Sequence, residues 1–219
     1  MAEKQKLGRP RAEGEAGDEP VEEEILAAAR ELFRSKGFSA TSTREIATAA
    51  GLRQPTLFHY FKNKAGMMNA IALQAMQPEI EFLKRESELA QPPEVALYRY
   101  VRFVVFNLHT NPNVIGSPAR FPELTREDYP EFWAQYDVVQ NAMQTLIKQG
   151  TKTGSFIEVD AKLASAQLFA LMEYTLDKKI SKAQADEAAS LAATLVLRAL
   201  LTKSNQIEKI VKVAQDSSD

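Results

Sequence analysis

The chain has 219 residues, of which 45% are hydrophobic and 26% charged, and its formal net charge is −2; these values are typical of a folded globular protein. It has no cysteine, which excludes disulfides and thiolate metal sites, and its two histidines are too far apart in sequence to suggest a metal site. No apolar run approaches the roughly 20 residues of a membrane span and no signal-peptide core is present, so we expect a cytoplasmic protein without a membrane partner.

Residues 1–18 are predicted to form a disordered polar arm. They contain several glycines and almost no bulky apolar side chain, so they cannot bury enough surface to fold. Within the arm, "LGRPR" (Leu7–Arg11) resembles the basic arms that enter minor grooves. An inert tail explains the same residues equally well.

A first helix is predicted after the arm. Its first turn carries Glu22–Glu24, where acidic side chains are favourable, and Gly37 supplies its C-terminal stop. Apolar residues recur through it at helical spacing, so one face should be buried. That predicted core face consists of Ile25, Leu26, Ala29, Leu32 and Phe33.

The stretch "TSTREIATAAGLRQPTLFHYFKNK" predicts a helix-turn-helix, with the motif at about residues 42–61. Ser42 and Glu45 have the spacing of a capping box, so a short helix begins there, and Gly51 ends it. Pro55 lies in the first turn of a second short helix, where a missing N–H costs little. Such a second helix is suited to the major groove of DNA.

Polar side chains of the second short helix face outward if Leu57 and Phe61 face the core. Gln can bond an adenine edge, Arg can bond guanine, and Thr can touch a thymine methyl group. Hydroxyl and cationic groups nearby can hold phosphates without reading sequence. The outward-facing residues are Gln54, Thr56, His59 and Tyr60, and the phosphate candidates are Thr43, Arg53, Tyr60, Lys62 and Lys64. A helical hairpin with a merely solvated polar face is the alternative.

Basic charge is concentrated in the same region. Residues 28–64 carry seven lysines and arginines against two acids, a net charge of +5, whereas residues 65–219 have a net charge of −3. A basic module on an acidic body can bind a polyanion locally, although an ordinary solvated surface has similar charge patterns.

The segment from "ILAAARELFRSKGFSA" through "QPTLFHYFKNK" resembles the DNA-binding module of the TetR family of transcriptional regulators, over about residues 19–79. The resemblance implies an all-α homodimer with a three-helix DNA-binding head at 19–79 and a larger ligand-binding and dimerising body at 80–219. Arg53 stands where many members have a serine cap and Phe58 where tyrosine is common, which leaves the operator sequence open. By the same resemblance the base contacts are Arg44, Gln54, Pro55, Thr56, Phe58 and His59.

The body is predicted to be helical throughout, with no strand pattern and no Gly-rich phosphate loop. A proline-rich connection occupies residues 111–130, and Gly150–Asp160 is predicted to be a turn. Pro78 is expected to break or kink the helix that contains it. The predicted helices cover residues 64 to about 89, the Pro92–Pro93 pair to Thr110, Glu131–Gln149, 161–179 and 184–202.

Aromatic side chains concentrate in the central helices and the proline-rich connection. We interpret them as an apolar pocket for a hydrophobic or aromatic effector, although core packing is the commoner explanation of each residue taken singly. His109 is more readily explained as a helix C-terminal cation than as a ligand donor. The predicted pocket residues are Phe103, Phe106, His109, Phe121, Trp133, Tyr136 and Met143.

The last two predicted helices carry small and branched residues at helical spacing, which permits close packing. Packing inside one subunit is the plain explanation, whereas the family resemblance favours a four-helix dimer interface. The interface residues expected from it are Leu168, Leu171, Met172, Thr175, Leu191 and Leu195.

These features predict a sequence-specific DNA-binding regulator, a repressor that binds a pseudo-palindromic operator as a homodimer and is released by a small apolar or aromatic effector. No nucleophile–base pair, metal cluster or cofactor loop can be assembled, so we expect neither an enzyme nor a cofactor. The alternatives are an interaction or ligand-binding module that does not release DNA, and a helical enzyme. The residues do not decide between repressor and activator.

Overall fold

A computed structural model describes residues 18–114, 122–173 and 180–216, and over these ranges the chain is all-α, as predicted. Within the described residues, Phe156 and Leu201 form an isolated antiparallel β-bridge. The predicted arm, except for its last residue, lies outside the described residues. The helices are α1 (Asp18–Lys36), α2 (Thr43–Ala49), α3 (Gln54–Tyr60), α4 (Lys64–Ser87), α5 (Pro93–Thr110), α6 (Pro130–Thr153), α7 (Ala161–Glu173), α8 (Lys182–Leu200) and α9 (Ile207–Asp216).

The chain divides into two compact units between Met67 and Met68, inside α4. The domain boundary expected near residue 79 stays a prediction. None of the described helices combines the length and apolar character that crossing a bilayer requires.

The first unit forms its core from α1, α2 and α3. Ile25, Leu26 and Ala29 of α1 are buried, as the helical spacing predicts. Phe33 packs against Phe38, with ring centroids 5.1 Å apart. The next two helices complete this core with short apolar faces. Helix α2 buries Ile46 and Ala47, and α3 buries Leu57.

The second unit is organised around α5, which packs against α6, α7, α8 and α9. Because neighbours lie on several sides of this helix, apolar residues occupy much of its circumference rather than a single stripe. Its buried residues are Val95, Ala96, Leu97, Tyr98, Tyr100, Val101, Val104 and Val105.

Helix α4 continues through Pro78, so the predicted break does not occur, and the alternative of a kink stays a prediction. Proline removes one helix hydrogen bond and crowds the preceding turn. Ile71 and Ala72 before it and Phe82 after it are all buried, so packing on both sides holds the helix together.

Gly150 does not end α6, although the sequence predicts a turn there. The helix continues to Thr153 and stops at Gly154, whose φ of 77° is left-handed. A Cβ atom on Gly150 would lie 2.0 Å from the ring of Phe156, so glycine is required for close approach. Helix α9 was not predicted; its Ile207, Ile210 and Ala214 are buried at helical spacing.

A carboxyl–phenol pair links three helices inside the second unit. The hydroxyl of Tyr100 on α5 donates to Glu79 Oε1 on α4 at 2.6 Å and lies 3.4 Å from the carbonyl oxygen of Val139 on α6. Burial raises the pKa of Glu79 to about 7, although the bond from Tyr100 lowers it in part. Burial and the neighbouring carboxylate raise the pKa of Tyr100 well above its usual range.

Stability of the fold should therefore fall as pH rises from about 4.5 to about 7. In that interval the folded chain holds a proton on Glu79 that the unfolded chain has released, which costs up to about 3 kcal/mol. Glu79→Gln keeps the shape and an acceptor for Tyr100 but removes the titration, so its free energy of unfolding should depend less on pH. Urea unfolding at pH 5 and pH 8 measures this, with the exposed neighbour Glu81→Gln as control. Equal pH slopes in the two variants contradict the assignment.

Candidate nucleic-acid interface

The start of α2 is fixed by a capping box that is also tied to α1. Glu45 N–H donates to Ser42 Oγ at 3.2 Å, and Ser42 N–H donates to Glu45 Oε2 at 2.9 Å. Lys36 of α1 forms an ion pair with the same carboxylate. Lys36, followed by the Ser42 backbone and hydroxyl, lowers the pKa of Glu45 to about 2. The box is therefore ionised and closed over the physiological pH range.

The turn into α3 is tight. Gly51 has a left-handed φ of 69°, and Leu52 N–H donates to the Ala47 carbonyl oxygen at 2.8 Å. Arg53 occupies the N-cap without a side-chain cap bond, and Pro55 lies in the first turn as predicted from its missing N–H. This geometry turns Leu57 into the core and leaves the opposite face of α3 in solvent.

The predicted DNA contacts fall into two classes of exposure. Gln54 is half-buried. Its amide Nε2 donates to Thr43 Oγ1 at 2.9 Å, and this bond joins α3 to α2. The rings of His59 and Tyr60 meet edge to face with centroids 5.7 Å apart. The exposed residues are Arg44, Arg53, Pro55, Thr56, Phe58, His59 and Lys62, and the half-buried ones are Thr43, Gln54, Tyr60 and Lys64.

Lys64 has a structural environment that the sequence did not reveal. Its ammonium donates to the carbonyl oxygens of Phe38 at 2.6 Å and Thr41 at 2.8 Å, and lies 3.4 Å from that of Ser39. It also sits 4.4 Å from the centroid of the Phe38 ring. Because an ammonium has three donors, this side chain fastens the start of α4 to the α1–α2 connection. No local sequence signal marks a contact between residues 26 positions apart.

The predicted effector residues are distributed over several places in the second unit. Phe103 and Phe106 line a cavity of about 270 Å³. Trp133 and Tyr136 instead pack against each other, and the Trp133 indole donates to the Leu124 carbonyl oxygen at 2.8 Å. Met143 is fully buried in the core. The remaining two predicted residues are His109, where burial lowers the pKa and so opposes the predicted helix-terminal cation, and Phe121, which lies outside the described residues.

The residues expected at a dimer interface include both exposed and buried side chains. Leu171, Leu191 and Leu195 are each more than half exposed. Leu168 and Met172 are buried in the chain's own core, so they are not available to a partner. The last residue of the set, Thr175, lies outside the described residues.

Comparison with known proteins gives matches to transcriptional regulators. The family model described as "Bacterial regulatory proteins, tetR family" matches residues 25–71. The chain is 44% identical over 55 residues to an uncharacterised HTH-type transcriptional regulator, YvkB, of Bacillus subtilis, covering 25% of this chain and 29% of that protein. It is 35% identical over 70 residues to the class D tetracycline repressor of Escherichia coli, covering 32% of this chain and 29% of that one. The matches thus span under a third of these relatives.

A longer similarity is found with a solved structure. The TetR-family transcriptional regulator PfmR from Thermus thermophilus aligns with a TM-score of 0.68 and 26% identity. The alignment covers 82% of this chain and 96% of that one, so it includes both units.

The two lysines that flank Asn63 should respond differently to mutation. Lys64→Ala removes charged hydrogen bonds to backbone carbonyls and should lower the free energy of unfolding by about 1.5–3 kcal/mol. Lys62→Ala, at an exposed position, should change it by less than about 0.5 kcal/mol. Urea unfolding followed by circular dichroism compares them. Equal stability of the two variants would show that the Lys64 contacts do not hold the unit together.

Proposed function

The chain belongs to the TetR family of transcriptional regulators, and we propose that it is a repressor that binds a pseudo-palindromic operator as a homodimer and releases it when a small effector binds. The observation that carries this proposal is the solvent-facing surface of α3. Leu57 anchors that helix in the core, while Pro55, Thr56, Phe58 and His59 remain exposed on it.

Base recognition is assigned to α3 together with the exposed Arg44 on α2. The Gln54 amide donates one N–H to Thr43. Its second N–H can donate to an adenine edge, and its carbonyl oxygen can accept from the same edge. Arg44 supplies the fork that suits guanine, and the ring of Phe58 suits a thymine methyl group. Together these groups distinguish base pairs.

Phosphate binding is assigned to exposed cations and hydroxyls at the edges of the same surface. Arg53 and Lys62 are exposed, and Thr43 and Tyr60 keep partly exposed side chains. Lys64, predicted as a phosphate contact, already donates to three carbonyl oxygens, so its contribution to DNA binding is expected to be indirect. The concentration of positive charge in residues 28–64 supports attraction to DNA as a polyanion.

Dimerisation is assigned to the exposed aliphatic face of α7 and α8. Leu191 and Leu195 are one turn apart on α8, and Leu163 and Leu171 are two turns apart on α7, and all four are more than half exposed. Each of these helices therefore presents exposed leucines that a partner subunit can cover. A two-fold dimer buries the same face from both subunits and suits an operator with two half-sites about 34–36 Å apart or a multiple of that.

Repression and effector release are supported by the name of one relative, a tetracycline repressor, and by the cavity in the second unit. If an effector binds free dimer more tightly than DNA-bound dimer, reciprocity requires that it weaken operator binding by the same factor, typically about 5–150-fold.

Mutations of base contacts and of phosphate contacts should have different effects on the sequence preference and the salt dependence of DNA binding. Arg44→Ala and Gln54→Ala should each weaken operator binding by about 1–3 kcal/mol and relax the preference at one base pair. Lys62→Ala should weaken all DNA alike and reduce the dependence on salt. An operator selected from random duplexes, its single-base variants and an unrelated duplex are compared by fluorescence anisotropy at several salt concentrations. Identical sequence profiles for Arg44→Ala and Lys62→Ala contradict the division, and no binding to any duplex contradicts the function.

The dimer should depend on α8 rather than on apolar exposure in general. Introducing charge by Leu191→Glu with Leu195→Glu should raise the dimer dissociation constant by at least about 100-fold, equivalent to about 2.7 kcal/mol. Val138→Glu, at a similarly exposed position on α6, serves as the matched control and should leave it unchanged. Sedimentation equilibrium measures the constant. A dimer that survives the double substitution places the interface elsewhere.

A further inference from the structure

The cavity of about 270 Å³ in the second unit has both aromatic and charged walls. One strip of α5 supplies most of them, since residues 99, 102, 103 and 106 recur at helical spacing. From first to last these positions rise by about 10 Å along the helix, with the cations first and the aromatic rings last. The residues that line the cavity include Phe82, Arg99, Arg102, Phe103, Phe106 and Asp186.

The aromatic part presents flat apolar surface. The rings of Phe82 on α4 and Phe103 on α5 stack with centroids 4.2 Å apart and an interplanar angle of 13°. Phe103 and Phe106 are only partly buried, so ring surface remains accessible in the cavity. A ring or a short alkyl chain placed there removes apolar surface from water, on both the ligand and the protein.

The two arginines of the cavity are held very differently. Arg99 Nη2 and Nε donate to the Glu86 carboxylate at 2.7 and 3.0 Å, and Nη1 donates to the Ala214 carbonyl oxygen at 3.2 Å. Only 14% and 12% of the Arg99 and Glu86 side-chain surfaces are exposed. This guanidinium is therefore committed to joining α4, α5 and α9.

Arg102 is the cation that a ligand can recruit. Its side chain is 38% exposed, and its ion-pair partner, Asp186 of α8, is 52% exposed. Water competes with an ion pair at such exposure, so the pair contributes little and exchanges readily. The Ser190 hydroxyl lies 3.4 Å from Arg102 Nε and offers an additional donor to an incoming anion.

We propose that this cavity binds a small organic monocarboxylate, with its ring or short alkyl tail on Phe103 and Phe106 and its carboxylate on Arg102 in place of Asp186. The group now paired with Arg102 is itself a carboxylate, so a ligand carboxylate replaces one acceptor by another of the same chemistry. A phosphate dianion is disfavoured because Asp186 brings a negative charge to the cavity wall and the second cation, Arg99, is already neutralised by Glu86. The regulatory meaning of the site rests on the proposed function, whereas binding itself does not.

The test measures binding of 4-phenylbutyrate and its uncharged analogue 4-phenylbutyramide to the free full-length protein by isothermal titration calorimetry. The carboxylate should bind at least about ten times more tightly than the amide, as expected for a charge-assisted contact. Arg102→Gln should abolish that preference, and Phe106→Ala should weaken both compounds. Arg126→Gln is the matched control, because Arg126 is also an exposed arginine that pairs with an aspartate, Asp137, and lies over an aromatic ring, 4.5 Å from Trp133.

Asp186→Asn keeps the proposal testable if Arg102→Gln fails to fold. Removing the competing carboxylate should tighten 4-phenylbutyrate binding several-fold and leave 4-phenylbutyramide unchanged. Equal affinities for the two compounds in the unmodified protein, an unchanged preference in Arg102→Gln, or loss of the preference in Arg126→Gln overturns the site. Failure of the ligand-free protein to bind any duplex overturns the proposed function instead, so the two failures are distinguishable.

Discussion

Helices α2 and α3 have seven residues each and are too short to be stable in water through their own hydrogen bonds. The DNA-facing surface therefore exists only because tertiary contacts hold both helices. The capping box of Ser42 and Glu45 is closed by Lys36 from α1, Leu57 buries one face of α3, and Lys64 fastens the next helix to the α1–α2 connection. Recognition by this unit consequently depends on its stability.

A comparable dependence governs the second unit, where α5 is the helix that its neighbours share. One side of α5 carries Tyr100 and meets the Glu79 carboxyl, whereas the strip with Arg99 and Phe106 borders the cavity near α8 and α9. Tyr100 and Arg99 of this helix are hydrogen-bonded internally and Arg102 reaches solvent, whereas Glu94 Oε2 is buried with no hydrogen-bond partner among the described residues. A ligand in the cavity thus contacts the helix around which the unit is built.

The helix-turn-helix could be predicted from sequence because its signals are local: a capping box, a left-handed glycine and a proline in the first helical turn. Features that depend on distant partners could not. Lys64 contacts residues more than 20 positions away, and Gly150 is explained by the ring of Phe156 rather than by a turn. Leu168 and Leu171 look alike in sequence, yet one is buried and the other exposed, because only the neighbours of α7 decide which side is covered. The amphipathic spacing of α9 was present and could have been found.

The hydrogen bond from Gln54 to Thr43 has a consequence for how such a protein can be re-engineered. Because this bond holds the amide end of Gln54 against the Thr43 hydroxyl, it fixes where the side chain lies on the surface of α3. What α3 presents to a base pair is therefore set partly by a residue on α2. A recognition helix grafted onto a related scaffold without this threonine would keep its sequence but lose the bond that positions Gln54. The smallest transferable unit of specificity in this protein is the pair of helices, not the helix that lies in the groove.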